Sequence, residues 1–275
     1  VNAHSDHAAV AVPWAAAALF LLLAAPYLHA AARTANWSRW RTALWLSGCA
    51  TAALALSPLA AGPEPVAHMA RHLLLGMYAP IGLVLGAPLT LLLRRLPTAS
   101  ARRLTGVLRR RPVQWLGHPF TAAVLSVGGL VAVMLTPVHD VAARDPLLHG
   151  LLLAHYLVSG YLFTWSLIGP DPAPHRPGLP TRAAALAAAI AAHAILAKHL
   201  YAQALPAGHE ASAALTAAQL MYFGGDVAEL IVAFVLFGTL YRKRLSGVAR
   251  GRSGYTVCGS AAGGRCRRRE GDCDV

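Results

Sequence analysis

Seven stretches, about residues 13–32, 42–60, 70–93, 119–137, 147–168, 183–201 and 218–241, are long and apolar enough to cross a bilayer. A helix needs roughly 20 mostly apolar residues to span a hydrocarbon core of about 30 Å. Inside that core every backbone N–H and C=O must pair within the protein, so only helices and closed barrels span it. No ten-residue alternation of apolar and polar side chains appears, which argues against a barrel. The expected fold is therefore all-α: an integral membrane bundle of seven transmembrane helices. The chain is 56% hydrophobic and 13% charged, whereas soluble domains carry about 25% charged residues. A water-soluble enzyme and bulk disorder are both excluded on that ground.

The net charge of +13 does not point to nucleic acid, because the basic residues sit between the apolar runs rather than along one face. They alternate instead. Arg33, Arg39 and Arg41 follow the first run, and Arg94, Arg95, Arg102, Arg103, Arg109, Arg110 and Arg111 follow the third. Arg176 and Arg182 follow the fifth, and Arg242, Lys243 and Arg244 follow the seventh. The other connections hold few charges: Glu64 and Arg71; Asp140, Arg144 and Asp145; Glu210. Basic connections stay in the cytoplasm, so the N-terminus is expected outside and the C-terminus inside. Residues 1–12 then form an outer segment, 13–244 the membrane domain, and 245–275 a disordered, basic cytoplasmic tail. The first run lacks a basic leader; His4, Asp6 and His7 precede it, unlike an ordinary signal peptide.

Cys49 lies in the second run and Cys258, Cys266 and Cys273 in the tail. The tail spacing is not that of a zinc site, and cytoplasmic thiols stay reduced, so these cysteines read as incidental. The RCRRR run beside them suits contact with anionic lipid headgroups.

Histidine carries the chemistry: there are 13, against 11 Asp and Glu together. On the expected topology His68 and His72 open the third span at its outer end, and His139 follows the fourth. His149 enters the fifth span from outside, with His155 roughly 9 Å deeper. His199 and, deeper, His193 lie on the sixth. Met69, Met134 and Met221 fall near outer ends, and Met77 is mid-span. Imidazole and thioether together favour copper, Cu(I) especially, over cations that prefer carboxylate oxygen. His68 and His72 are four apart and share a helix face, as two ligands of one ion would. His149 and His155 are roughly 120° apart around their helix and need other helices to complete a site, and the same holds for His193 and His199. Each has a structural alternative: interfacial wetting for His68 and His72, and interhelical hydrogen bonds for His149, His155 and His199. His193 reads as structural; His4, His7 and His209 as solvated; His29, His118 and His175 as interfacial. Met69 and Met221 are soft candidate ligands that serve equally as core packing.

Asp226 and Glu229 share one face of the seventh span, where charge is costly unless paired or wet. Lys198 is the natural partner for Asp226. Gly224 and Gly225 just before them admit a close helix approach. There is no HExxH, P-loop or GxSxG, and His139–Asp140 is a pair without a nucleophile, so no catalysis is expected.

Several motifs in order resemble one family. HMARHLLLGMYAPIGLVLGAP (His68 to Pro88) is similar to the third-span signature of the CtaG-like polytopic family of cytochrome c oxidase assembly factors. The likeness continues through His118–Pro119 and His139–Asp140. It then runs through LLHGLLLAHYLVSGYLFTWSLIGPDPAPHR (Leu147 to Arg176) and AQLMYFGGDVAEL (Ala218 to Leu230). It covers roughly residues 10–245. The resemblance implies a seven-span plasma-membrane protein, not an enzyme, that helps assemble a heme–copper oxidase by handling copper. It implies oxidase subunits, an external copper donor and membrane lipid as partners, and no nucleic acid. By that likeness His68, His72, His149 and His155 are the characteristic histidines and Asp226 the acidic residue of the last span. One departure is AQLMYFGG in place of DQQxGG, which removes a carboxylate near Gln219. The residues alone leave two other classes open: a heme-binding electron-transfer protein with paired axial histidines, and a copper uptake protein.

Overall fold

The computed structural model describes the backbone of residues 3–60, 62–173, 176–206 and 212–253, with side chains from Ala18 to Thr239 within those ranges and at Tyr241. Among the described residues thirteen α-helices follow in order: α1 (Ala3–Ala32), α2 (Arg39–Ala55), α3 (Glu64–Leu73), α4 (Ala79–Leu85), α5 (Pro88–Arg95), α6 (Thr98–Leu108), α7 (Arg111–Leu116), α8 (Pro119–Ala123), α9 (Gly129–Leu135), α10 (Val138–Arg144), α11 (Pro146–Ile168), α12 (Leu179–Ala204) and α13 (Ser212–Ser253). Two π-helical turns, Leu74–Tyr78 and Val124–Gly128, join α3 to α4 and α8 to α9. There is no strand among the described residues, so the expected helical class holds.

Among the described residues four helical segments are long and apolar enough to cross a membrane: Glu64–Arg95, Pro146–Ile168, Leu179–Ala204 and Ser212–Thr239. This is a helical membrane protein. A fifth crossing arises if Pro119–Leu135 and Val138–Arg144, bent by 81°, count as one. The expected first two spans are shorter where they can be judged: Ala18–Ala32 in α1, and the 17 residues of α2. At 1.5 Å per residue α2 reaches only about 26 Å, short of a full core. The last helix continues to Ser253, past Leu245 where the tail is expected; Cys258, Cys266 and Cys273 lie outside the described residues. Residues up to Leu236 form one compact unit, and those from Phe237 a second, which begins within α13.

Local signals explain where the helices start. Asp145 caps α11, its carboxylate accepting from Leu147 N (2.8 Å) and Leu148 N (3.2 Å), with Pro146 in the first turn. Glu64 and Pro65 open α3, a carboxylate and a proline where the free N–H groups and the helix dipole favour both. Between α4 and α5 the chain breaks at Ala87, held at φ 54°. Buried Asp171, beyond α11, supplies the missing cap for α5, accepting from Leu89 N (3.2 Å), Thr90 N (2.7 Å) and Thr90 Oγ1 (2.5 Å). Asp171→Ala leaves those donors unpaired and is expected to cost roughly 2 kcal/mol. Thermal unfolding in detergent reads this as a lowered midpoint.

Glycines set the closest approaches. Gly48 of α2 meets Gly82 of α4 so tightly that a Cβ at Gly82 would sit 2.6 Å from Gly48 N. Gly160 of α11 abuts the backbone of Gly76 in the first π turn, which fixes α11 against the segment carrying His68 and His72. One apolar cluster, with Met69, Leu75, Leu130, Tyr156, Leu196 and Met221, fills the histidine-bearing half; another, with Ile81, Val84, Leu167, Leu186 and Val232, fills the other half. The first and third basic connections meet, away from His68, His139 and His149. There Arg95 donates to Arg33 O (2.9 Å), and Arg41 and Arg94 lie over the Trp37 ring at 5.1 and 5.6 Å.

Candidate metal centre

The 81° break decides the site. After α9 the chain is extended at Thr136 and turns at Pro137, which has no N–H to continue the ladder. This turn carries His139, the second residue of α10, back over α3. Its ring meets that of buried His68 edge-on, with centroids 4.3 Å apart, and its Nε2 lies 3.8 Å from Glu64 Oε1. One ligand atom from each of Glu64, His68 and His139 lies within 4.8 Å of the other two. Ligands around a tetrahedral ion at imidazole bond lengths stand about 3.3 Å apart, closer than the 4.8 Å within which these atoms lie; Glu64 is exposed and His139 half-buried. Glu64 and His68 are four apart on α3 and share a face.

These three residues border an open cavity of about 440 Å³ with Met69 and Met134, two thioethers beside two imidazoles and a carboxylate. His68 is held from below: its Nε2 and the Tyr156 hydroxyl share a hydrogen bond of 3.2 Å. His149, in the first turn of α11, is half-buried and does not line this cavity.

His72 is one turn deeper and meets different neighbours. Its ring packs on Tyr156 (centroids 5.0 Å) and lies 6.1 Å from that of His193 on α12. His193 Nδ1 stands 3.6 Å from Glu229 Oε1 on α13, and all three residues are buried. Tyr156 therefore contacts both His68 and His72. His155, its neighbour in sequence, faces the other way, against Gly129, where a Cβ would overlap its Nε2.

The remaining expected residues scatter. His199 and Lys198 are exposed, and Lys198 Nζ lies 5.5 Å over the Tyr222 ring; no ion pair joins it to half-buried Asp226 among the described residues. Met221 is fully buried in the apolar cluster, and Asp140 and Gln219 are exposed. His175 and His209, and the side chains of His4 and His7, lie outside the described residues. Sequence reasoning missed Glu64 and Tyr156 as members of the group. The Glu64–His68 spacing carried a usable signal, whereas nothing in the sequence places Tyr156 against two histidines of another helix.

A helical membrane bundle with a His/Glu/Met cluster at one end defines a class, and comparison with known proteins narrows it. A family model described as cytochrome c oxidase caa3 assembly factor (Caa3_CtaG) matches residues 18–243. The chain belongs to this family, which is one of assembly factors and not of catalysts. Among curated proteins, uncharacterized proteins of Mycobacterium bovis and Mycobacterium tuberculosis are each 39% identical over 170 residues, covering 58% of this chain and 26% of theirs. One of Mycobacterium leprae is 35% identical over 152 residues, covering 51% of this chain and 23% of its own. The match therefore spans about a quarter of the length of these curated relatives. No solved structure matches significantly.

Proposed function

We propose that the chain assists assembly of a heme–copper oxidase in the plasma membrane by capturing copper at Glu64, His68 and His139 and passing it on. The observation that carries this reading is the convergence of those three side chains, with Met69 and Met134, on one cavity. The donor set suits copper in either oxidation state, since imidazole and thioether hold Cu(I) and the carboxylate favours Cu(II). The cavity is open, as a site that must both load and unload requires.

In this reading the protein crosses the membrane seven times. α1 and α2 supply two crossings, the short α2 being accommodated by local thinning, and the bent pair supplies the fourth. The arginine-rich end faces the cytoplasm and the histidine-rich end faces outside, where an external donor delivers copper. Oxidase subunits docked in the same bilayer receive it. The heme reading finds less support: the space between His72 and His193 measures about 40 Å³, while pockets for organic cofactors run to several hundred Å³.

Anaerobic titration of detergent-purified protein with Cu(I), with bound metal counted by mass spectrometry, tests the proposal. Binding of at least one copper per chain, with no Soret absorbance, is expected. A protein that takes up no copper overturns the reading. Tyr156→Phe retains the ring but removes the hydroxyl that holds His68, and is expected to weaken binding about fivefold, equivalent to roughly 1 kcal/mol. Competition with a chelator of known affinity measures it.

A further inference from the structure

We infer that His72, His193 and Glu229, with Met77, form a second and occluded copper site below the first. The inference rests on the copper reading of the outer cluster and extends it inward. Four buried polar atoms there have no hydrogen-bond partner: His72 Nδ1, His72 Nε2, His193 Nε2 and Glu229 Oε2. Buried imidazole and carboxylate atoms are nearly always paired, and each orphan costs roughly 1–3 kcal/mol or more. Here they belong to one group. His72, His193 and Glu229 line a single cavity of about 40 Å³, and Met77 lines it with them. That volume accepts an ion or one to two waters. Water pairs neutral groups adequately, but an ionised carboxylate within a membrane helix is costly unless positive charge stands beside it.

Rotation of the two rings toward each other would make room for an ion. Each ring nitrogen lies roughly 1.1 Å from its centroid, so nitrogens turned to face each other across the 6.1 Å between His72 and His193 would stand about 4 Å apart, twice a metal–imidazole bond. Glu229 Oε1 lies 3.6 Å from His193 Nδ1, and Asp226 is one turn earlier on α13. The two imidazoles, the thioether and the carboxylate repeat the donor types of the outer cluster.

The local backbone is built around this point. The π turns Leu74–Tyr78 and Val124–Gly128 both contribute to the cavity wall, and such turns recur at functional sites. Gly225 has no side chain where a Cβ would overlap the His193 ring, so α13 can bring Glu229 alongside. His68 and His72 are four residues apart, roughly 6 Å along the helix. The Tyr156 ring contacts both, its centroid 6.0 Å from that of His68 and 5.0 Å from that of His72. The pair of sites makes a two-step path, with an open site for capture and a closed one for retention.

Full-length protein loaded with Cu(I) anaerobically and then challenged with a charged, water-soluble Cu(I) chelator tests this. The expected result is two coppers per chain, one stripped at once and one at least tenfold more slowly. His193→Ala is expected to hold one copper, the rapidly stripped one, whose presence shows that the variant is folded. Glu229→Gln is expected to release its inner copper at least tenfold faster than the unmodified protein. A single copper that both variants leave unchanged overturns the inner site and leaves the outer one standing; no copper at all overturns both. Either variant behaving as the unmodified protein removes its residue from the site.

Discussion

Replacing His68 and His139 together by alanine is expected to weaken capture of Cu(I) by the open site at least 100-fold. These two imidazoles meet only because the chain breaks at Thr136–Pro137 and swings α10 over α3. Loss of a supporting residue around a metal site typically costs 10–100-fold, and here two direct ligands disappear. Glu64, Met69 and Met134 remain, but a single exposed carboxylate and two thioethers hold copper weakly. His68 is buried, so its replacement leaves a cavity and a Tyr156 hydroxyl without its partner. The variant is therefore expected to unfold at a lower temperature, and at temperatures where it remains folded to lose the rapidly exchanging copper. Isothermal titration against a competing chelator separates the two effects. Unchanged affinity would place copper capture elsewhere in the chain.

Gly160→Val is expected to be the most damaging single change to the fold. A Cβ at this position would overlap Gly76 O and stand 2.7 Å from Gly76 C and 3.0 Å from its Cα. Those atoms are backbone and cannot rotate away, so α11 must move off the π turn Leu74–Tyr78. Overpacking of this kind costs about 3 kcal/mol or more. Because that turn follows His72 directly and α11 carries Tyr156, both copper positions are expected to fail with the fold. Gly150→Ala is the matched control, since nothing lies within 4 Å of a Cβ there. It is expected to be neutral or slightly stabilising, as alanine is the better helix former. Thermal melting of both variants in one detergent gives the comparison. A Gly160→Val protein melting with the unmodified chain would mean that α11 does not pack as described.

Much of the helical order is legible in the apolar runs. The run at 147–168 becomes Pro146–Ile168, that at 183–201 lies within Leu179–Ala204, and that at 70–93 lies within Glu64–Arg95. Hydrophobicity determines these because lipid admits no other use for such a run. The run at 119–137 ends at the proline where the structure turns, yet nothing in hydropathy alone says the chain folds back as α10. The short α2 also shows the limit: seventeen residues of suitable composition do not declare how they meet a bilayer.

Less of the site is legible, and the reason is geometric. Helical spacing states which residues share a face, but not which neighbour that face meets. His68 and His72 share a face and are both buried, as their spacing suggests. The structure nevertheless gives them different partners, His139 and Glu64 for one and His193 for the other. His193, which reads as structural in isolation, acquires Glu229 only because Gly225 lets α13 approach α12. His155 points to Gly129 and Tyr156 to the histidines, a distinction of one residue that depends on how α11 is rotated in the bundle. Tertiary contacts of this kind are set by packing, which a single sequence encodes only collectively.

The copper-to-heme ratio of the oxidase in cells lacking this protein, restored either with the unmodified chain or with the His68→Ala/His139→Ala variant, connects the site to its use. The unmodified chain is expected to restore full copper, while the variant leaves oxidase that carries heme and is deficient in copper. Oxidase with full copper in cells expressing only the variant would show that assembly proceeds without this cluster, and would contradict the role assigned to it.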